Sequence, residues 1–158
     1  MKYGSLVLEK RDFVMIKRYE HLNHFIEDYT HKDLLETLDE NMSNALIFNL
    51  EDMPDDIIRM YSTVTVSGPS DWSDTFQVVL PFENDDDNNK ISVQSKLGAS
   101  VIGLSEGDTI KHGIPGDFVV LKIEKVLHSE DQIKEDIPEA VFKKVLPKQY
   151  KNLLTLNI

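Results

Sequence analysis

The feature that most constrains this chain is a change of apolar period at Pro54. Before it, Met15, Tyr19, Leu22, Ile26 and Tyr29 recur at spacings of four, three, four and three, a narrow helical seam of coiled-coil type. Leu35, Leu38, Met42 and Ala45 continue at three, four and three after Thr30-His31-Lys32-Asp33. Residues 9–50 therefore read as helical with one break, where Thr30 can cap the second helix and Asp33 can favour its positive end. So short a turn forces the two helices antiparallel, a helical hairpin. Pro54 disfavours helix in the residue before it, which ends the second helix and sets a boundary, so that residues 1–53 form the first unit.

Beyond Pro54 the period is two. Tyr61-Ser62-Thr63-Val64-Thr65-Val66 alternates and is β-branched, Gly68-Pro69-Ser70-Asp71 turns, and Thr75-Phe76-Gln77-Val78-Val79-Leu80 returns as the paired strand. Ile91-Ser92-Val93 is a third strand, residues 97–104 a short helix and Thr109-Ile110-Lys111 a fourth strand. Pro115-Gly116 turns into a long last strand over residues 118–126. The fold class is α+β: a helical hairpin followed by an antiparallel sheet crossed by one short helix, in units 1–53, 54–127 and an extension, 128–158. The extension carries one helical candidate, residues 138–146, with Val141, Phe142, Val145 and Leu146 as its apolar stripe. It packs back on the sheet or offers a surface to another molecule.

Charge narrows the partners. With 28 Asp plus Glu against 17 Lys plus Arg, the formal charge of −11 opposes direct phosphate contact, so sequence-specific nucleic-acid binding is not expected. A basic surface on another protein is the better match. No apolar run approaches the roughly 20 residues needed to span a bilayer, and the N-terminus lacks a signal-peptide pattern, so the expected location is cytoplasmic with no membrane contact. Absence of cysteine removes disulfides, thiolate nucleophiles and cysteine zinc sites.

Residues 91–108, Ile-Ser-Val-Gln-Ser-Lys-Leu-Gly-Ala-Ser-Val-Ile-Gly-Leu-Ser-Glu-Gly-Asp, resemble the C-terminal signature of the Gre transcript-cleavage factors: a short strand, a small-residue helix, then Gly-Asp opening a strand. Pro115-Gly116 continues the likeness. Upstream, residues 52–64 with their Met53-Pro54 start resemble the short-hairpin member of this group, the regulator of nucleoside diphosphate kinase. The resemblance implies an FKBP-like domain that docks on RNA polymerase near its secondary channel, with the hairpin pointing into the channel. It implies a transcription regulator of bacterial type rather than an enzyme, needing no cofactor. Docking would fall on the loop after the third strand, Gln94, Ser95, Lys96 and Leu97, where Lys96 stands in the place at which Gre factors commonly carry proline. Asp28 and Asp33 would sit at the hairpin tip, where cleavage factors present carboxylates that help hold magnesium. An FKBP-like fold also raises the alternative of a peptide-binding or prolyl isomerase module.

Other motifs read as structural. His21 and His24 share a helix face with His31 nearby, but without a third ligand at defined spacing they do not make a metal site. The Asp85-Asp86-Asp87-Asn88-Asn89 loop fails the EF-hand pattern, with Lys90 at the glycine position and Lys96 at the glutamate position. No metal is expected. Trp72, Phe76, Phe82 and Phe118 show no pattern that assigns them to an isomerase pocket.

Overall fold

A computed structural model describes residues 1–114 and 116–147. Pro115 of the predicted turn and the end of the extension, 148–158, lie outside the described residues.

The N-terminal unit begins with strand β1 (Val7–Glu9), helix α1 (Lys10–Tyr19) and a 3-10 segment (Glu20–Phe25). Helix α2 (Tyr29–Met42) then leads to strand β2 (Leu46–Phe48). The two helices are present, but the break falls over residues 20–28 and the second helix stops earlier than its seam suggests. Asp28, not Thr30, is the cap: its carboxylate accepts the Thr30 and His31 amides at 3.0 and 3.4 Å. Leu46-Ile47-Phe48, expected to be helical, forms β2 and pairs parallel with β1 in the register Val7 to Leu46, Leu8 to Ile47 and Glu9 to Phe48. A parallel pair needs a long crossover, which the two helices supply.

Helix α1 departs from its narrow seam. Phe13, Val14, Met15 and Ile16 are all buried, so this short helix is surrounded on most sides, whereas Tyr29 is 82% exposed. In α2, Leu35, Leu38 and Met42 are buried as their spacing predicts.

The main sheet contains β3 (Thr63–Ser67), β4 (Ser73–Val79), β5 (Lys90–Ser92), β6 (Thr109–Ile114) and β7 (Asp117–Leu127), in the order β5-β4-β3-β7-β6. Its β3–β4, β3–β7 and β6–β7 pairs are antiparallel, and the edge pair β4–β5 is parallel. Alternation decides the buried face: Val64 and Val66 of β3, Phe76 and Val78 of β4, and Leu121 and Ile123 of β7 point inward. Phe118, Val119 and Val120 are exposed because β7 pairs with β3 only from Lys122 onward, leaving the end of the β6–β7 hairpin projecting.

Helix α3 (Lys96–Val101) crosses close to the sheet. Gly98 makes this possible, since a Cβ there would lie 2.1 Å from the Ser92 carbonyl oxygen. Gly103, just beyond, has φ +79°, and its amide bonds the Ile58 carbonyl at 3.1 Å. The extension ends in α4 (Glu139–Val145), whose Phe142 is buried beneath the Lys10 ammonium, 4.7 Å from the ring centre. It packs on α1 rather than on the sheet. Arg18 pairs with Glu135, and the Arg11 guanidinium donates to the Ile133 carbonyl at 3.4 Å. One apolar cluster joins Leu8 and Phe13 of the first unit, Val64 and Ile123 of the sheet, and Ile133 and Phe142 of the extension.

Candidate functional site

Two segments far apart in sequence meet here: the loop between β5 and α3, and the connector between α1 and α2. The loop is built by Ser95, which caps α3. Its hydroxyl accepts the Gly98 amide at 3.1 Å and donates to the Ser92 carbonyl at 2.6 Å. Ser95 is thus committed to holding the loop's shape, and a large residue there would lose a cap as well as alter a surface.

The Gln94 side-chain amide donates to the Tyr19 carbonyl at 2.6 Å and to Asn23 Oδ1 at 2.9 Å. Its backbone carbonyl meets His31 Nε2 at 2.6 Å. Lys96 Nζ lies 2.6 Å from Asp28 Oδ2. This ion pair, with the amides of His31 and Thr30, holds the Asp28 carboxyl below its usual range. Leu97 is half-buried against the core. The expected docking residues and tip residue Asp28 are therefore one contact region.

Asp33 stands apart from that pair, on an open groove of about 300 Å³ between α2 and the β6–β7 hairpin, lined also by Lys96, Lys111, His112 and Phe118. Asp28 is bound to a lysine and to a helix terminus, so the two carboxylates do not present a free acidic pair. The three histidines also diverge. His21 and His24 each turn Nδ1 to a backbone carbonyl three residues back, while His31 faces Gln94. Among the described residues no group of three His, Cys, Asp or Glu could hold a metal ion, and no helix is long and apolar enough to cross a membrane. The Asp85–Asn89 loop closes on itself, with Asn88 Nδ2 donating to Asp85 Oδ2 at 2.6 Å.

A second polar cluster went unread in the sequence. Glu9 and Asp12 are 3% and 5% exposed at the junction of all three segments. Glu9 caps α1 through the Arg11 and Asp12 amides and pairs with Arg11 Nε at 3.0 Å. Asp12 accepts the Met60 amide at 3.0 Å. Burial, then the nearby charge of Glu9, pushes the Asp12 carboxyl up to about 7. A cavity of about 30 Å³ adjoins, lined by Arg59, Ser62, His128 and Asp131, and Arg59 Nε has no hydrogen-bond partner among the described residues. The available signal was a lone acid, Asp12, directly preceding the apolar run Phe13-Val14-Met15-Ile16.

The aromatic residues of the sheet unit do not converge. Phe76 is buried, Phe118 lies on the groove by α2, and Phe82 stacks near Tyr19 over another cleft, 6.3 Å between ring centres. The isomerase alternative has no geometric support.

A curled, mostly antiparallel sheet crossed by a glycine-bearing helix and preceded by a helical pair is an architecture consistent with the GreA/GreB fold. Residues 53–128 match the family model for the C-terminal part of transcription elongation factor GreA/GreB. Over 83 residues the chain is 37% identical to transcription elongation factor GreA of Syntrophus aciditrophicus, a match covering 52% of each chain. It is 30% identical over 89 residues to the regulator of nucleoside diphosphate kinase of Escherichia coli, covering 56% of this chain and 65% of that one. A solved GreA/GreB elongation factor from Nitrosomonas europaea has the same fold, with a TM-score of 0.61 at 23% identity, covering 79% of this chain and 99% of that chain. Residues 53–128 are therefore similar to the C-terminal part of the GreA/GreB transcription elongation factors. Its match spans about half the length of the GreA relative.

Proposed function

We propose that the protein is a transcription regulator that binds RNA polymerase near the secondary channel through the loop Gln94, Ser95, Lys96 and Leu97, and does not efficiently stimulate transcript cleavage. Similarity of residues 53–128 to the GreA/GreB elongation factors supports the polymerase as partner, and the charge of −11 suits a basic protein surface. A cytoplasmic location goes with that partner.

The observation that carries the second half of the reading is the state of Asp28. Cleavage assistance requires carboxylates free to share a metal ion. Asp28 is instead the N-cap of α2, its carboxylate committed to the Thr30 and His31 amides whether or not Lys96 faces it. Reach argues the same way: helices of 10 and 14 residues at ~1.5 Å per residue extend only roughly 15 and 21 Å. The protein then acts by occupying the channel mouth and competing with other factors that enter it.

The test is a backtracked elongation complex incubated with the protein. Stable binding without faster release of short 3′ RNA fragments is the expected result. Rapid fragment release, abolished by Asp28→Ala or Asp33→Ala, would make the protein a cleavage factor instead.

A further inference from the structure

The loop assigned to docking is covered by the chain's own connector, and the cover is weakly anchored. From Lys17 to Leu34 no side chain is buried, whereas Ile16 and Leu35 on either side are both 3% exposed in the core. The 3-10 segment contributes no buried residue at all. Tyr19, Ile26 and Leu34 rest on the core only as partly buried side chains, and the arm meets the loop through polar contacts: Gln94 to Tyr19 and Asn23, His31 to the Gln94 carbonyl, and Asp28 to Lys96. Exposed ion pairs and solvent-reachable hydrogen bonds exchange readily for water. Segments with few buried apolar contacts open at far lower free energy than the core that flanks them.

We infer that residues 17–34 form a cover that opens as a unit, hinged where α1 and α2 enter the core, and that this opening bares Gln94 and Lys96 for the polymerase. The inference rests on the docking assignment above. In the closed state the Gln94 side-chain amide and the Lys96 ammonium are both occupied internally, so an outside partner must replace the arm. Apparent affinity is then the intrinsic affinity scaled by the fraction of molecules that are open. Covering polar groups in this way also limits non-specific association of an otherwise exposed binding loop.

The experiment uses the full chain carrying Asp28→Asn with His31→Ala. Asparagine caps a helix about as well as aspartate, so α2 keeps its N-terminus while the charge facing Lys96 is lost. Two quantities are read: affinity for core RNA polymerase, and amide hydrogen exchange of the free protein. The expected result is binding tightened severalfold, with amides of residues 20–31 exchanging faster as a group and those of β3, β4 and β7 unchanged. Faster exchange with unaltered affinity would show that the arm does not mask the loop and overturn the inference. Arm amides that exchange only at the global unfolding rate in both proteins would overturn it too. If neither protein binds polymerase, the docking assignment fails. The cover is then decided by exchange alone, standing only if the arm opens separately from the sheet and opens more in the variant.

Discussion

At Gly98 two small effects oppose each other, and their sizes decide the outcome. Replacing a helical glycine by alanine gains about 1 kcal/mol of helix preference. A Cβ at this position, however, meets the Ser92 carbonyl oxygen at 2.1 Å and Ser95 Oγ at 2.9 Å, so the helix must lift from the strand that carries it. Overpacking of this kind costs about 1–3 kcal/mol, and contact with rigid backbone places it at the upper end. Gly98→Ala is expected to destabilise by about 2 kcal/mol net, read as a lowered urea midpoint; an unchanged or raised midpoint would show that α3 does not depend on close approach. Asp12 gives a pH dependence of determinate sign. Its folded-state carboxyl titrates at about 7, above its ordinary value of 3.8. The folded state thus holds a proton that the unfolded chain has already released, and stability falls as pH rises between those values. Glu20, likewise pushed up to about 7 mainly by burial, adds a slope of the same sign. The informative quantity is therefore the difference between wild type and Asp12→Asn, which keeps an oxygen to accept the Met60 amide. Wild type should lose on the order of a few kcal/mol relative to the variant from about pH 4 to pH 8. Parallel stability–pH curves would mean that Asp12 is solvated.

Among the elements, the extension adds to stability, because α4 packs on α1, whose turn Phe13-Val14-Met15-Ile16 is buried. Phe142 is 7% exposed and lies under the Lys10 ammonium. Phe142→Ala should cost about 3 kcal/mol, measured by denaturation, whereas loss of less than about 1 kcal/mol would mean α4 rests on α1 only loosely. The elements that were legible in the sequence were those whose local pattern and final environment agree. Val64, Val66, Phe76, Val78, Leu121 and Ile123 alternate and face the core, so β3, β4 and β7 fall within a few residues of their expected positions. Helix α3 was readable from Gly98 and Ala99, through the family signature. Strands β1 and β2 were not, because three-residue strands carry too few side chains to set a period and their pairing spans most of the first unit. The parallel β4–β5 pair has no local signature either. The proposed site divides the same way: Gln94, Ser95, Lys96 and Leu97 are proposed from resemblance to a family. Their contacts with Tyr19, Asn23, Asp28 and His31 were not legible, since hydrogen bonds across more than 60 residues leave no spacing to read.

Across the whole molecule the apolar cluster, rather than the change of period at Pro54, sets the cooperative unit. The sequence break separates a helical pattern from an alternating one, but Leu6 and Leu8 before it and Ile58, Val64 and Ile102 after it are buried in the same cluster. The Ile58 amide bonds the Leu104 carbonyl, and the Val7 amide bonds the Gly103 carbonyl, so β1 is fastened to the segment after α3. Asp12 of α1 holds the Met60 amide at the start of the sheet unit. Unfolding the first unit alone would strip apolar cover from the second and leave these buried amides without partners. Such exposure costs about 25 cal/mol for each Å² of apolar surface and more for each orphaned polar group. The chain is therefore expected to unfold in a single transition. The sequence supplies the probes: its one tryptophan, Trp72, reports on the β3–β4 turn, while far-ultraviolet circular dichroism is weighted toward α1 and α2. Urea curves from the two signals should superimpose, the opening of residues 17–34 adding only a shallow native baseline because that arm buries no side chain. A helical signal that disappeared at clearly lower urea than the Trp72 signal would show two independent folding units meeting at Pro54 and would remove the shared core as the source of cooperativity.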